Sequence, residues 1–256
     1  MAEISFLGVP DISGWTFLAL TAGAFLGTFV GVVTGAAGGL MVLAFLALVF
    51  PPAVLVPVHT FVQLGASSSI AIIMRQYILR ATILPFLVGA VTGAVLGAQI
   101  FVSLPEAALQ GIIGGFILLL AWIPKLATAG KVKNRFAVLG FVATFVGMFV
   151  SATGTLVAPF VINASPDRRN HAATMGALMC MSHISKIVAF GALGIGVGAY
   201  APLIVAMIAA CACASWLGGK TLNRIPEKLF RIVFQILLTG LALRLLWVAA
   251  RGSGLF

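Results

Sequence analysis

Apolar residues run along the chain in ten stretches, separated by short breaks that contain polar residues, Gly or Pro. A helix that crosses a bilayer core needs about 20 consecutive apolar residues, and most of the stretches approach that length. The breaks carry residues that end helices, such as Gly38-Gly39 and Pro51-Pro52. The pattern predicts ten helical segments, two of them short: 15–33, 39–50, 53–74, 81–102, 106–123, 136–151, 154–163, 170–190, 197–219 and 227–249.

The composition indicates whether these helices lie in a membrane or in water. Of the 256 residues, 62% are hydrophobic and 8% are charged, whereas a soluble domain carries about 25% charged residues. Too little charge is present to cover a surface exposed to water, so we expect an all-α integral membrane protein. A disordered chain, a secreted disulfide scaffold and a cytosolic enzyme are excluded together. The three cysteines lie in apolar runs without a His at metal-ligand spacing, so we expect no metal site and no cofactor.

Basic residues predict the orientation. A net charge of +10 would suggest a nucleic-acid partner in a soluble protein, but here the positions of the charges argue for the lipid bilayer instead. If every segment crosses and the N-terminus lies outside, the cytoplasmic side carries twelve basic residues and the outside only Arg251. The positive-inside rule favours that orientation in a cell (inner) membrane, with both termini outside. The twelve are Arg75, Arg80, Lys125, Lys131, Lys133, Arg135, Arg168, Arg169, Lys220, Arg224, Lys228 and Arg231.

The two halves of the chain resemble each other in four blocks that occur in the same order. The first block, Phe29-Val30-Gly31, recurs as Phe145-Val146-Gly147. The second matches Gly38 and Leu40 with Gly154 and Leu156; the third matches Pro52, Thr60, Ser68 and Ile70 with Pro166, Thr174, Ser182 and Ile184; and the fourth matches Leu96-Gly97 and Pro105-Glu106 with Leu217-Gly218 and Pro226-Glu227. We therefore predict a first transmembrane repeat at 1–124, a basic cytoplasmic linker at 125–135 and a second repeat at 136–256.

Five segments per half is an odd number, so the second half would enter the membrane from the opposite side. Inverted repeats of this kind are used by many secondary transporters, which bind their substrate near the midplane where discontinuous helices meet. The short segment 39–50 and the Gly-rich break before it fit such a discontinuous helix. Periodicity and composition thus predict an inverted-repeat transporter without naming its substrate.

Several motifs carry a resemblance to a known family: Gly31-Val-Val-Thr-Gly35-Ala-Ala-Gly38-Gly39-Leu40, the stretch from Pro51-Pro52 to His59-Thr60, the polar Ser67-Ser68-Ser69, and, in the second half, Gly147, Ser151-Ala-Thr153-Gly154-Thr155, Arg168-Arg169 and Thr174. The chain resembles the sulfite exporter TauE/SafE family of membrane transporters along nearly its whole length. The second break contains less glycine than the family often shows. The resemblance implies passage of sulfur-containing anions such as sulfite, sulfonates or sulfoacetate.

The acidic residues agree with an anionic substrate because all five avoid the apolar segments. Glu3 and Asp11 precede the first segment, and Glu106, Asp167 and Glu227 stand beside Pro at helix starts, where they complement the helix dipole. Cation carriers and proton relays usually need a carboxylate within the membrane. Cation transport and intramembrane hydrolysis by paired acids are therefore disfavoured.

Neutral and basic polar residues inside the segments are the candidates for substrate binding. Hydroxyl, amide and backbone N–H donors can replace the hydration shell of an anion, and we expect Thr60 and Thr174 to act from opposite sides of one central site. Hydroxyls between helices also serve as packing contacts, and Gly permits close helix approach, while Lys186 either contacts substrate or extends to the interface. The candidates are Gly38, Gly39, His59, Thr60, Gln63, Ser67, Gly154, Thr155, Thr174, Ser182 and Lys186.

The sequence thus favours a secondary transporter for small sulfur-containing anions, with export as the expected direction and no enzymatic activity. An anion channel and an importer of sulfate or thiosulfate remain alternatives. An intramembrane enzyme built on His171, His183 or Cys180 is a weaker one, since no carboxylate is available to orient the base. Assembly into a homo-oligomer stays open.

Overall fold

The computed structural model describes residues 5–34, 38–122, 135–165, 167–221 and 227–253, which contain ten α-helices. The predicted basic linker therefore lies outside the described residues except for Arg135, and so does Gly35 in the first break. The helices are α1 Gly14–Thr34, α2 Gly38–Ala47, α3 Pro52–Ile73, α4 Arg80–Ser103, α5 Glu106–Trp122, α6 Arg135–Val150, α7 Gly154–Ile162, α8 Arg168–Ala192, α9 Ala201–Thr221 and α10 Glu227–Gly252.

Helix starts follow local chemistry. Pro52 is the first residue of α3, where the missing N–H costs nothing. Glu106 lies in the first turn of α5, and the Asp167 carboxylate caps α8 by accepting a 2.7 Å hydrogen bond from the Arg169 backbone N–H. The prediction that these acidic residues stand at helix starts is confirmed. A short antiparallel pair of strands, β1 Ser5–Phe6 and β2 Val9–Pro10, precedes α1.

Helix length separates the segments into two groups. Within the described residues, five helices are long and apolar enough to cross a membrane, namely most of α1, α3, α4, α8 and the stretch Gly198–Gly218 that contains most of α9. By contrast, α2 has 10 residues and α7 has 9, which corresponds to about 15 Å or less at 1.5 Å per residue. A hydrocarbon core is about 30 Å thick. The described helices therefore do not confirm that all ten segments cross, and α2 and α7 are each too short to cross alone.

The first short helix folds back on the helix before it. A methyl group at Gly23 in α1 would lie 2.8 Å from the Phe45 ring, and one at Gly27 would lie 2.9 Å from Met41 Cβ. Gly38, at the start of α2, lies against Gly31 near the end of α1. Successive contacts run from Gly23 with Phe45 to Gly38 with Gly31, so α1 and α2 form an antiparallel hairpin.

Glycines bring the long helices into contact. In α4, a methyl group at Gly89 would collide with the Ala137 carbonyl oxygen of α6, and one at Gly93 would collide with that of Phe141. Gly140 in α6 meets the Phe86 carbonyl in the same way. The other main helix pairs are α1 with α9, α3 with α8, and α5 with α10. Backbones thus meet directly, as is usual where lipid supplies no hydrophobic driving force between helices.

Large apolar side chains cover the outside of the bundle. On α4, Leu84, Val88 and Val95 are exposed, while Phe86, Ala90 and Ala94 on the same helix are buried. Apolar residues therefore occupy both the inward and the outward face of this helix. A protein with such a surface is stable only when lipid covers it.

Candidate functional site

The break between α6 and α7 holds Ser151 in an unusual backbone conformation. Its φ is +61°, a left-handed value that residues with a Cβ adopt at a cost of roughly 1–2 kcal/mol. Ser151 is also almost fully buried. Such an outlier persists only where neighbouring contacts hold it in place, and the Ser151 hydroxyl makes several.

Ser151 bonds to two residues of α3 in the first half of the chain. Its Oγ lies 2.8 Å from His59 Nδ1 and 3.0 Å from Thr60 Oγ1. The other ring nitrogen of His59, Nε2, lies 2.8 Å from the Gly39 carbonyl oxygen, which can only accept. Nε2 therefore carries a proton, and in the neutral ring Nδ1 accepts the Ser151 hydroxyl proton. The Thr60 hydroxyl has one proton, which goes either to the Val56 carbonyl oxygen at 2.7 Å or to Ser151 Oγ.

Lys186 of α8 reaches the same hydroxyl from the other side. Its Nζ lies 3.3 Å from Ser151 Oγ and 3.4 Å from the carbonyl oxygens of Gly147 and Ser151. The residue is fully buried, so its side chain points into the protein and does not extend to the membrane interface. The ammonium sits at the C-terminal end of α6, where the helix dipole favours a positive charge.

No counter-ion accompanies Lys186 in the part of the chain that the structure describes. Asp11, Glu106 and Asp167, the acidic residues whose side chains are described, are not among its partners, and its three hydrogen bonds all go to neutral oxygens. An ammonium withdrawn from water is costly unless a negative charge and hydrogen bonds compensate it. The site is therefore electrostatically incomplete and suited to receive an anion.

Two further polar groups near the break lack a hydrogen-bond partner among the described residues. Both Thr155 Oγ1, in the first turn of α7, and His183 Nδ1 are shielded from solvent. His183 precedes Lys186 by one helical turn, and both Lys186 and His59 are close enough to act on it electrostatically. We define the central cluster as His59, Thr60, Ser151, Thr155, His183 and Lys186.

The predicted glycines play different parts at the two breaks. A methyl group at Gly39 would collide with Gln63 Nε2, and one at Gly38 would lie 3.0 Å from the Gly27 carbonyl oxygen and from Gly31 Cα. Close backbone packing thus explains Gly38, whereas the neighbour of Gly39 is the end of the flexible Gln63 side chain. At Gly154, by contrast, the nearest atoms to such a methyl are the side-chain ends of Met175 and Met179, each at 3.9 Å. The second break has free space where the first has none.

Three predicted residues share no hydrogen bond with the central cluster in the part of the chain that the structure describes. The Thr174 hydroxyl accepts a 3.0 Å hydrogen bond from the backbone N–H of Leu79, just before α4. Thr174 precedes Lys186 by twelve residues, or about 18 Å of helix, so the structure does not bring Thr60 and Thr174 together as expected. Ser182 accepts from Thr144 Oγ1 at 3.0 Å, which joins α6 to α8. Ser67 is half-buried on α3.

Sequence reasoning overlooked the residue at the centre of these contacts. Ser151 appeared only within a motif, although the repeat aligns it with Gly35, 116 positions earlier, as Phe145 aligns with Phe29. The presence of Ser151 where the first repeat has Gly35 was the signal that could have identified it. His183 was considered only as a catalytic base. Within the described residues, no group of three or more His, Cys, Asp or Glu side chains could hold a metal ion.

Comparison with protein families decides the classification. The profile described as "Sulfite exporter TauE/SafE" matches residues 19–245, which is most of the chain and includes every residue of the central cluster. The chain belongs to the TauE/SafE family. Membership makes it a membrane transporter of sulfur-containing anions. Curated proteins yield no match, and solved structures yield none either.

TauE/SafE membership confirms the resemblance drawn from the glycine-rich motifs. It also accounts for the long apolar helices, because a family of transmembrane transporters must cross the bilayer several times. The family is a transporter family, which agrees with the expectation that the protein is not an enzyme. The substrate within the class of sulfur anions, and the residues that bind it, are questions for the geometry.

Proposed function

We propose that this TauE/SafE chain is a secondary transporter whose central cluster binds one small sulfur oxyanion or sulfonate, such as sulfite or sulfoacetate. The observation that carries the proposal is Lys186, a fully buried basic residue with only neutral oxygens around its Nζ. A transported anion supplies the missing negative charge while it is bound. A cation would add a second positive charge to the same dry space.

Donors around Lys186 fit an oxyanion. The Thr155 hydroxyl has no partner among the described residues and belongs to the first turn of α7, where backbone N–H groups are also unpaired within the helix. Ser151 can redirect its hydroxyl proton from His59 to a ligand with a change of one torsion angle. Charge-assisted hydrogen bonds of these kinds are stronger than neutral ones. Gly154, with open space beside it, leaves room for the ligand.

Matched contacts in the two halves support inverted repeats. A methyl group at Gly97 would lie 3.2 Å from the Phe145 carbonyl oxygen, and one at Gly218 would lie 3.3 Å from that of Phe29. The sequence repeat equates Gly97 with Gly218 and Phe145 with Phe29, so equivalent residues meet equivalent residues.

Aromatic pairs and helix pairs follow the same exchange. Phe25 stacks on Phe29 with centroids 6.2 Å apart, and Phe141 stacks on Phe145 at 5.8 Å. Exchanging helices 1–5 with helices 6–10 also turns the pair of α1 and α9 into that of α6 and α4. We propose that α1 with α2, and α6 with α7, each form a hairpin that returns to its own side, which leaves three crossing helices in each half. Three is odd, which favours inversion.

The predicted orientation is retained under this arrangement. A hairpin that returns to its own side leaves the chain where two crossings would have left it, so the twelve basic residues stay together. We propose that they face the cytoplasm, that both termini lie outside, and that the anion is exported. The description of the matching family as a sulfite exporter supports outward movement.

Transport in proteoliposomes tests the proposal. Proteoliposomes that contain the purified protein should take up radiolabelled sulfite or sulfoacetate with saturable kinetics. Unlabelled anion inside the vesicles should accelerate this uptake. Saturation without such acceleration, or flux that rises linearly with concentration, would indicate a channel. Saturable transport of a cation and of no anion would overturn the proposal.

A further inference from the structure

A cavity at the junction of α7 and α8 lies apart from the central cluster. Its volume is about 440 Å³, and its lining includes Ser165, Arg168, His171 and Met175 together with Ile162 and Ala172. None of these residues belongs to the central cluster. A small sulfonate occupies far less than this volume, so the cavity can hold the anion with part of its water shell.

The polar groups of this cavity retain hydrogen-bonding capacity that no described residue uses. Ser165 Oγ accepts hydrogen bonds from the Asp167 backbone N–H at 3.3 Å and from Asn170 Nδ2 at 3.2 Å, which leaves its own proton free. His171 Nδ1 is shielded from solvent and has no partner among the described residues. The guanidinium of Arg168 likewise makes no hydrogen bond or ion pair to any residue that the structure describes.

Arg168 forms no ion pair with an acidic side chain among the described residues. The Asp167 carboxylate adjoins it in sequence, but its Oδ1 is held by the Arg169 backbone N–H as the helix cap. The Arg169 guanidinium lies 5.5 Å from the centre of the Tyr77 ring, and its Nη1 donates to the Tyr77 hydroxyl at 3.2 Å. Two adjacent arginines thus have different surroundings, one lining the cavity and one engaged elsewhere.

A face of α8 connects this cavity to the central cluster. His171, Met175, Met179, His183 and Lys186 follow one another at spacings of three or four residues, so they share one face of the helix over about 22 Å. Met175 lines the cavity, and with Met179 it stands next to Gly154 at the second break. Methionine side chains are flexible and can move aside.

We propose that this cavity is a capture site where the anion binds before it reaches Lys186. Arg168, Ser165 and His171 hold the sulfonate or sulfite oxygens, and Met175 with Met179 separates them from the break. The proposal rests on the function proposed above and adds a second binding site on the side of the basic loops.

The corresponding place in the first half has a different chemistry. A cavity of about 250 Å³ lies at the junction of α2 and α3, and its lining includes Glu106 and Arg244. There the Arg244 Nη1 already donates to the carbonyl oxygens of Ala47 and Leu48, each at 3.4 Å. A carboxylate and an occupied guanidinium make a poor anion site. Capture is therefore confined to the side of Arg168.

Thiol labelling of the purified protein tests the capture site. Ala172→Cys places a thiol in the cavity, and its rate of modification is compared for a thiosulfonate reagent with a sulfonate tail and one with a quaternary ammonium tail. Protein without the new cysteine gives the background from Cys180, Cys211 and Cys213. Each rate is divided by the rate of the same reagent with a free thiol in solution. We expect this ratio to be severalfold higher for the anionic reagent than for the cationic one, and we expect sulfoacetate to slow the anionic reagent.

Arg168→Gln should abolish the preference and the protection, whereas the matched control Arg169→Gln should retain both. Equal effects of the two substitutions, or a thiol that sulfoacetate never protects, would overturn the capture site. Counterflow of sulfoacetate by the unsubstituted protein is measured in parallel. If counterflow fails while protection at Ala172→Cys persists, the transport proposal is wrong and the anion site stands; the reverse result removes only the capture site.

Discussion

Ser151 Oγ and His59 Nδ1 lie 2.8 Å apart although 92 positions separate the two residues in sequence. The bond ties the break after α6 to the middle of α3, and His59 extends the connection to the Gly39 carbonyl at the start of α2. One histidine thus links the neighbourhoods of both helix breaks. A ligand that draws the Ser151 proton away from His59 changes the contacts of both halves at once.

Replacing Ser151 separates backbone strain from hydroxyl chemistry. Ser151→Gly removes the hydroxyl and relieves the left-handed φ, whereas Ser151→Ala removes the hydroxyl and keeps the strain. We expect the Gly variant to be more stable than the Ala variant by roughly 1 kcal/mol, as measured by unfolding in detergent. Both variants should lose about tenfold in affinity for sulfite or sulfoacetate, equivalent to about 1.4 kcal/mol. Unchanged affinity in both would show that the hydroxyl only supports the fold.

Alanine at the two breaks should give opposite results. Gly38→Ala places a methyl group 3.0 Å from the Gly27 carbonyl oxygen and from Gly31 Cα, which are backbone atoms, and we expect a loss of about 1–3 kcal/mol in unfolding free energy. Gly154→Ala meets no atom closer than 3.9 Å and should change stability by less than about 0.5 kcal/mol. Unfolding in detergent measures both variants. Equal sensitivity at Gly38 and Gly154 would mean that the breaks are packed alike.

Glycine contacts between α4 and α6 predict that alanine substitutions at Gly140 and Gly115 affect thermal stability differently. At Gly140 a methyl group would collide with the Phe86 carbonyl, while at Gly115 in α5 nothing lies within 4 Å. Gly140→Ala should therefore lower the thermal unfolding temperature by several degrees. Gly115→Ala should leave it unchanged or raise it, because alanine favours helix by up to about 1 kcal/mol. A tolerated Gly140→Ala would indicate that these helices can move apart.

Orientation can be measured with single cysteines. Lys131→Cys lies in the predicted cytoplasmic linker, and Gly252→Cys lies at the end of α10. An impermeant thiol reagent applied to intact cells should label the second and not the first, since the positive-inside rule places the basic loops in the cytoplasm. Permeabilised cells provide the control, in which both should react. Labelling confined to Lys131→Cys would reverse the proposed orientation.

The sequence predicted the helices well because residues next to their ends determine where they begin and end. Pro52, Glu106 and Asp167 each mark a start that the structure confirms. Which helix faces which was harder to foresee, since a chain with 62% hydrophobic residues is apolar on both the inner and the lipid-facing sides of its helices. The return of α2 along α1 depends on contacts such as Gly23 with Phe45, which no local pattern encodes.

Part of the central cluster could be predicted because polar residues are conspicuous within apolar segments. His59, Thr60, Thr155 and Lys186 were recognised as polar residues in apolar segments, and the structure places them around the second break. Thr174 was grouped with them because the repeat equates it with Thr60, yet its hydroxyl bonds to Leu79 instead. The repeat equates two positions in sequence but does not determine which residues each side chain contacts. The direction of the Lys186 side chain required tertiary structure.

Affinity of the Lys186→Met variant for sulfoacetate tests the central claim most directly. Methionine fills similar space without charge, and Arg244→Met is the matched control because that guanidinium also caps a helix end by donating to backbone carbonyls. Calorimetry on folded, detergent-purified protein should show at least a tenfold loss of affinity for Lys186→Met and little change for Arg244→Met. Lys186→Met protein that binds sulfoacetate as tightly as the unsubstituted protein would contradict an anion site built on Lys186.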